Sequence, residues 1–359
     1  MKPTVARFVV FAPNWLGDAV MALPAIAGLR RALPDVSLTM AARPAIAPLF
    51  SMVPGIDGVA VLEKRGRESF SWSSKRGRES FSPEGHEKDS RPLFDTAILL
   101  PNSFHVALTA WRAGVPERWG YRTDWRRPLL TRAIDPPVGV HQVDYYQHLV
   151  RALGLLDPSP FPAQPHIVIS EELRAIGVKE LTGAGWDGTR PLVVLAPGAA
   201  YGSAKRWPPA SFAELARALA SDGIQSVMVG GRADLPVARE IEAALGVPSA
   251  APGAPRDGEA VLNLMGTDLP TLAGILSACR ALVSNDSGAM HLGAAIGVRV
   301  TAVFGPTNER LTRPAGDGHI VLTSPVWCRP CMMRECPIDH RCMRGVGVDR
   351  VVGAVRQML

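Results

Sequence analysis

The sequence predicts an α/β protein made of two Rossmann-like, doubly wound parallel-sheet domains in tandem, facing each other across a cleft. Three observations predict it. Short apolar runs of strand type alternate with helical runs of about 10–15 residues, the pattern of parallel sheets covered on both faces. The alternation stops at a proline-dense stretch and restarts beyond it. A chain of 359 residues also exceeds what one hydrophobic core usually holds.

In order, "RFVVFAP" (7–13) is a strand, "DAVMALPAIAGLRRAL" (18–33) a helix, "VSLTMAA" (36–42) a strand and "AIAPLFSMV" (45–53) a helix. The period then breaks: "KRGRESFS" occurs at 64–71 and again at 75–82, followed by "PEGHEKDS". A tandem copy so rich in Ser, Gly and charge buries little, so residues 64–91 are expected to be a disordered surface insertion. "DTAILLP" (95–101) resumes the sheet and "VDYYQHLVRALGLL" (143–156) is a helix. "DPSPFPAQP" (157–165) stops helices and favours extended backbone, which places a linker there and domains at 1–165 and 166–359. The second half repeats the scheme, with strands at 191–198, 223–231, 281–286 and 298–306 and helices at 209–222, 235–245 and 269–280.

Composition narrows the class. At 47% apolar and 20% charged residues the chain is globular, and no apolar run approaches the roughly 20 residues that span a bilayer. The apolar run near the N-terminus is cut by Pro13, too short for a signal peptide, so a cytoplasmic location is expected. The net charge of +6 is uneven: residues 1–170 hold 20 Lys/Arg against 15 Asp/Glu, an excess of +5, and residues 171–359 hold 19 against 18, an excess of +1. An acidic partner for the first half, phosphorylated glycolipid or nucleic acid, stands beside the reading of a solvated basic surface.

Ligands of doubly wound sheets sit beyond the strand C-termini, where helix starts aim N–H groups outward. Three corners fit that position. In "LVSNDSGAMHLG", Ser287 and Gly288 offer backbone N–H groups to a phosphate, Asp286 an acceptor for a sugar hydroxyl, and His291 follows one turn later. The alternative is a plain helix cap at Asp286 or Ser287 and a packed histidine. In "LAPGAAYGSAKRWPP", Gly198 turns the chain, Lys205 presents a point charge suited to a diphosphate, and Trp207 packs beneath. In "APNWLGDAVMALP", Gly17 turns the chain and Asp18 opens a helix, either as a cap or as a carboxylate able to take a proton from an incoming hydroxyl. The absence of G-x-G-x-x-G after the first strand argues against a dinucleotide dehydrogenase.

Two further stretches carry chemistry. Residues 111–132 hold six arginines among Trp111, Trp119, Tyr121 and Trp125, a mixture suited to a phosphorylated sugar at a lipid surface and equally to single-stranded nucleic acid; the corner motifs favour the sugar. Cys328, Cys331, Cys336 and Cys342 have the spacing C-x2-C-x4-C-x5-C, which allows a tetrahedral structural zinc with His340 as a spare ligand. Free thiols and iron–sulfur ligation are the alternatives, and Cys279 reads as core.

Together, "NWLGDAVMALPAI", "PGAAYGSAKRWP", "NDSGAMHLGAAIG" and "FGPTNERLTRP" make the chain resemble the heptosyltransferases of lipopolysaccharide core synthesis, glycosyltransferase family 9, most like the heptosyltransferase II branch. The resemblance covers roughly residues 5–320 and again the region near the C-terminus, and is interrupted at 64–91. It implies the GT-B fold, ADP-heptose as donor, a phosphorylated lipopolysaccharide core acceptor at the inner-membrane surface, no nucleic acid, and inversion without an essential metal or other cofactor. It further implies Asp18 as catalytic base, Lys205 on the donor diphosphate, Asp286, Ser287, Gly288 and His291 as donor motif, and, on a looser match in "GGRADLP", Asp234 as a donor contact. A relative acting on another glycan or a protein, and a non-catalytic nucleotide-sugar module, are the other readings; the second has no use for an acid at Asp18.

Overall fold

Val9, Val10 and Phe11 are all buried although neighbours along a strand face opposite sides, the mark of a sheet covered by helices on both faces. The computed structural model describes residues 5–62, 70–74, 77–81, 92–155, 164–247 and 260–359, which divide into two compact units, Met1–Pro165 and His166–Leu359. Residues 157–163 of the proline-dense stretch, and Leu156 before them, lie outside the described residues.

The first unit contains β1 (Arg7–Phe11), β2 (Ser37–Ala42), β3 (Gly58–Val61), β4 (Phe70–Ser74), β5 (Gly77–Phe81), β6 (Thr96–Leu99), β7 (Glu117–Tyr121) and β8 (Arg132–Ile134) in the order β5-β4-β3-β2-β1-β6-β7-β8. Six strands run parallel, while β4 pairs antiparallel with both β3 and β5. The expectation of a wholly disordered 64–91 is therefore corrected. "FSWSS" alternates aromatic residues with serine, "GRESF" follows after two residues, and β3 would otherwise be an open edge. The rest of that insertion lies outside the described residues. A second correction concerns the first long helix, which is two helices, Leu16–Met21 and Leu23–Ala32. Pro24 has no N–H to continue the first one but suits the opening turn of the second.

The second unit holds β9 (Leu192–Ala196), β10 (Gln225–Gly230), β11 (Val261–Met265), β12 (Ala281–Asn285), β13 (Arg299–Phe304) and β14 (Ile320–Thr323) in the order β11-β10-β9-β12-β13-β14, all parallel. Counted within the unit this is 3-2-1-4-5-6, the doubly wound order, and the first unit repeats it once the hairpin of β4 and β5 is set aside. The direction of winding therefore reverses between β9 and β12, the place beyond whose C-terminal ends doubly wound sheets bind their ligands. Trp207, wholly buried, packs edge-on to Phe212 and donates its indole N–H to the Val346 carbonyl at 2.9 Å, which ties the loop after β9 to the C-terminal helix region.

Candidate active site

The two strands flanking the reversal deliver the two corners singled out in the second unit. Beyond β9 the chain runs through Pro197 and Gly198 to a 3-10 turn at Ser203–Lys205, and beyond β12 through Asp286 and Ser287 to the helix Gly288–Ile296. Asn285, fully buried at the end of β12, clamps them together: its Nδ2 donates to the Pro197 carbonyl at 2.7 Å and its Oδ1 accepts from the Trp207 amide at 3.0 Å. With the loops fixed, Lys205 Nζ reaches Asp286 Oδ2 at 2.6 Å, both side chains largely buried at 12% and 6% exposure. Thr307, just past β13, donates its hydroxyl to the same oxygen at 2.7 Å. The ammonium also stands 4.7 Å from the centre of the Tyr201 ring.

The capping alternative for this corner does not hold. Ser287 occupies the N-cap position but makes no side-chain cap bond, and its hydroxyl pairs with that of Ser284 at 3.0 Å instead. Asp286 spends its carboxylate on Lys205 and Thr307. The helix therefore starts without a side-chain acceptor on its first N–H groups, which is how a helix start meets an anion. His291 is buried one turn along the same helix.

Gly198 and Asp234 also come together. Asp234 ends the 3-10 turn Arg232–Asp234 after β10 and accepts from the Gly231 amide at 3.1 Å, while Arg206 Nη2 lies 3.9 Å from its Oδ1. A Cβ at position 198 would fall 2.3 Å from the Asp234 carboxyl carbon, so only glycine lets that carboxylate lie against the loop after β9. The second unit thus gathers Gly198, Lys205, Asp234, Asp286, Ser287 and Gly288 at the C-terminal edge of one sheet. Thr307, Asn285 and Tyr201 are the participants that sequence reading passed over. Thr307 sits in the quoted "FGPTNERLTRP", and its place right after a strand was the available signal.

In the first unit Asp18 is the third residue of the helix Leu16–Met21, half-buried; the N-cap is Trp15, so Asp18 does not cap, and Gly17 lies inside the helix rather than at a turn. Tyr146 is buried close by; burial, and then the charge of Asp18, push its phenol well above the ordinary range. The six arginines of 111–132 are mostly scaffold. Arg118 donates to the carbonyls of Val115, Pro116 and Leu129, Arg122 pairs with Asp135, and Arg132 donates to the Leu153 carbonyl and stacks on Trp119. Arg126 is fully buried, bound to the Tyr121 and Pro101 carbonyls, and burial lowers its pKa to about 10. Arg112, Arg127, Trp111 and Trp125 remain on the surface.

All five thiols are free, and among the described residues no group of three or more His, Cys, Asp or Glu is arranged to hold a metal ion. Cys342 is buried; burial, then the neighbouring Cys328, push its thiol up. Cys279 lies two residues past the helix Leu269–Ser277 and is partly exposed, not core; burial of its sulfur pushes the thiol up. With His166, Arg174, Arg280 and Arg299 it lines a cavity at the opposite, N-terminal end of the second sheet, away from the predicted site residues. No helix among the described residues is long and apolar enough to cross a membrane.

Two doubly wound units in one chain are the architecture of the GT-B class of glycosyltransferases. The model of glycosyltransferase family 9 (heptosyltransferase) matches residues 90–341, and the chain belongs to that family. It is 30% identical over 323 residues to lipopolysaccharide heptosyltransferase 2 of Escherichia coli (strain K12), covering 86% of this chain and 85% of that one. It is 29% identical over 366 residues to lipooligosaccharide heptosyltransferase 2 of Haemophilus ducreyi, covering 98% and 99%. The solved structure of E. coli ADP-heptose lipopolysaccharide heptosyltransferase II superposes with a TM-score of 0.76 at 27% identity, over 98% of both chains.

Proposed function

We propose that the protein transfers L-glycero-D-manno-heptose, with inversion, from ADP-heptose to the inner-core heptose of lipopolysaccharide. The observation that carries this reading is the Lys205–Asp286–Thr307 cluster beside a helix start that no side chain caps. An ammonium has three N–H donors and Asp286 takes one, so Lys205 keeps donors for a diphosphate while held in place. In the reaction the acceptor oxygen forms a bond to the anomeric carbon as the bond from that carbon to ADP breaks on the opposite face. The hydroxyl proton passes to the Asp18 carboxylate, and negative charge collects on the departing diphosphate. Lys205 and the N–H groups of Ser287 and Gly288 meet that charge, already oriented before it develops. Gly198, Asp234, Asp286 and His291 are the remaining donor contacts, and Gly17 shapes the helix that carries the base. Charge stabilisation by these groups makes the mechanism independent of a cofactor.

The first unit is the acceptor side and the second the donor side. Trp111 and Trp125 on the surface with Arg112 and Arg127 support an acceptor that is a phosphorylated glycolipid, met from the cytoplasm at the inner-membrane face. A structural zinc on Cys328, Cys331, Cys336 and Cys342 rests on their spacing alone; about one zinc per chain in protein purified without chelator supports it, and four titrating thiols with no metal overturn it. The function is tested by incubating the protein with ADP-heptose and a heptose-deficient core acceptor under mass spectrometry. Equal release of ADP and gain of one heptose is expected, and no ADP release overturns the proposal.

A further inference from the structure

The segment Cys328–Cys342 has no part in the mechanism above, yet it is tied to the site at several points. Arg329 donates through Nε to the Gly305 carbonyl at 2.7 Å and through Nη2 to the Thr307 carbonyl at 3.2 Å and to Glu309 Oε2 at 2.7 Å. It thereby fixes the loop whose Thr307 hydroxyl holds Asp286. The Met332 amide donates to the Pro306 carbonyl at 2.9 Å, and the Met332 carbonyl accepts from the Tyr201 hydroxyl at 2.8 Å. The Arg334 carbonyl accepts from the Ala204 amide at 3.0 Å, immediately before Lys205. Gly202 makes that approach feasible, since a Cβ there would fall 2.2 Å from the Arg334 carbonyl oxygen.

One product of this docking is electrostatic. The Arg334 guanidinium carbon lies 5.2 Å from the centre of the same Tyr201 ring that Lys205 Nζ approaches to 4.7 Å. Two cations share one aromatic ring, and among the described residues no carboxylate is within ion-pair distance of Arg334. Two cations gathered at one side chain raise the local positive potential, and an anion is the ligand that potential favours. The Arg334 side chain is exposed and so open to a ligand.

We propose that Arg334 is a second cation for the donor's diphosphate, brought beside Lys205 by the cysteine-rich segment. This rests on the reading that Lys205 faces the diphosphate. A guanidinium fork suits two phosphate oxygens at once, where the ammonium supplies a single point charge. The cysteine-rich segment is then an arm of the donor site.

The experiment is calorimetric titration of the intact protein with ADP, AMP and adenosine, for the wild type and for Arg334→Ala, Arg334→Lys and Lys205→Ala. Arg334→Ala is expected to weaken ADP about five- to tenfold, AMP less, and adenosine hardly at all, with Arg334→Lys restoring part of the ADP loss. A merely structural role would weaken all three ligands together, and that result overturns the proposal. Unchanged ADP affinity in Arg334→Ala with a loss in Lys205→Ala overturns the inference and leaves the Lys205 reading standing. Unchanged ADP affinity in both variants overturns both.

Discussion

The first unit holds the excess of positive charge, and the second holds the lysine tied to a buried carboxylate. Residues 1–165 contain 20 Lys/Arg against 15 Asp/Glu, yet Arg118, Arg122, Arg126 and Arg132 are spent on carbonyls, on Asp135 and on Trp119. Residues 166–359 balance 19 against 18, yet place Lys205 on Asp286 at 2.6 Å and Arg334 nearby on the Tyr201 ring. The corners differ in the same way. Asp18 rides on a six-residue helix with no side-chain cap bond, whereas Asp286 sits in a cluster joining the ends of three strands, β9, β12 and β13. Charge locates a site by what it is tied to, and bulk balance says little about it.

Four measurements would break or sharpen this contrast. The largest effect is expected from Asp18→Asn, about 10²–10⁴-fold in kcat with ADP affinity unchanged, because a base acts on the acceptor proton only as the reaction proceeds. Near-normal turnover would remove Asp18 from the mechanism. Lys205→Ala is expected to cost on the order of 10²-fold in kcat and also to weaken ADP, because the same cation meets ground-state and developing charge and its loss strands the buried Asp286. Arg118→Gln probes the other side of the comparison. Losing its bonds to three carbonyls should cost about 2 kcal/mol, read as a Tm lower by several degrees, with unchanged ADP titration. A change in ADP affinity there would contradict its reading as scaffold. Smallest is deletion of residues 64–91, which removes β4 and β5 from one edge of the first sheet, where β4 is paired with β3 through three residues. Less than about 1 kcal/mol and cooperative unfolding are expected, since a two-stranded hairpin carries little stability of its own.

What the sequence reveals follows from how local its cause is. Most buried parallel strands announce themselves as apolar runs, so β1, β9, β10, β12 and β13 are read within one or two residues at most of their ends, although β11, "VLNLM", is as buried and was passed over. β7 and β8 are not, because "ERWGY" and "RAI" carry arginines whose guanidinium groups bond backbone or stack on Trp119. The helix break at Ala22 was written in Pro24, but the strong apolar period on either side hides it. In the site, Asp286 and Lys205 are 81 positions apart and each stands out by its corner, while Thr307 joins them only through the neighbouring strand β13, its place just past that strand being its one local sign. The tandem repeat was misjudged by composition, since an edge hairpin needs little apolar content when a neighbouring strand offers it a partner, and β3 does.

The pairing of Lys205 with Asp286 also decides what the second unit looks like to a molecule still some distance away. At physiological salt, fields fade over about 8 Å, and those of a neutralised pair fade sooner than those of a bare ammonium. A lysine left unmatched at that corner would draw in polyanions of every kind, nucleic acids and free nucleotides among them. Matched, it is quiet at long range and speaks only to a ligand close enough to share its remaining N–H groups. Lys205 thereby acts at contact, where shape and hydrogen bonding discriminate, and long-range attraction of an anion falls to the exposed Arg334, so the ionic-strength dependence of donor association should weaken in Arg334→Ala.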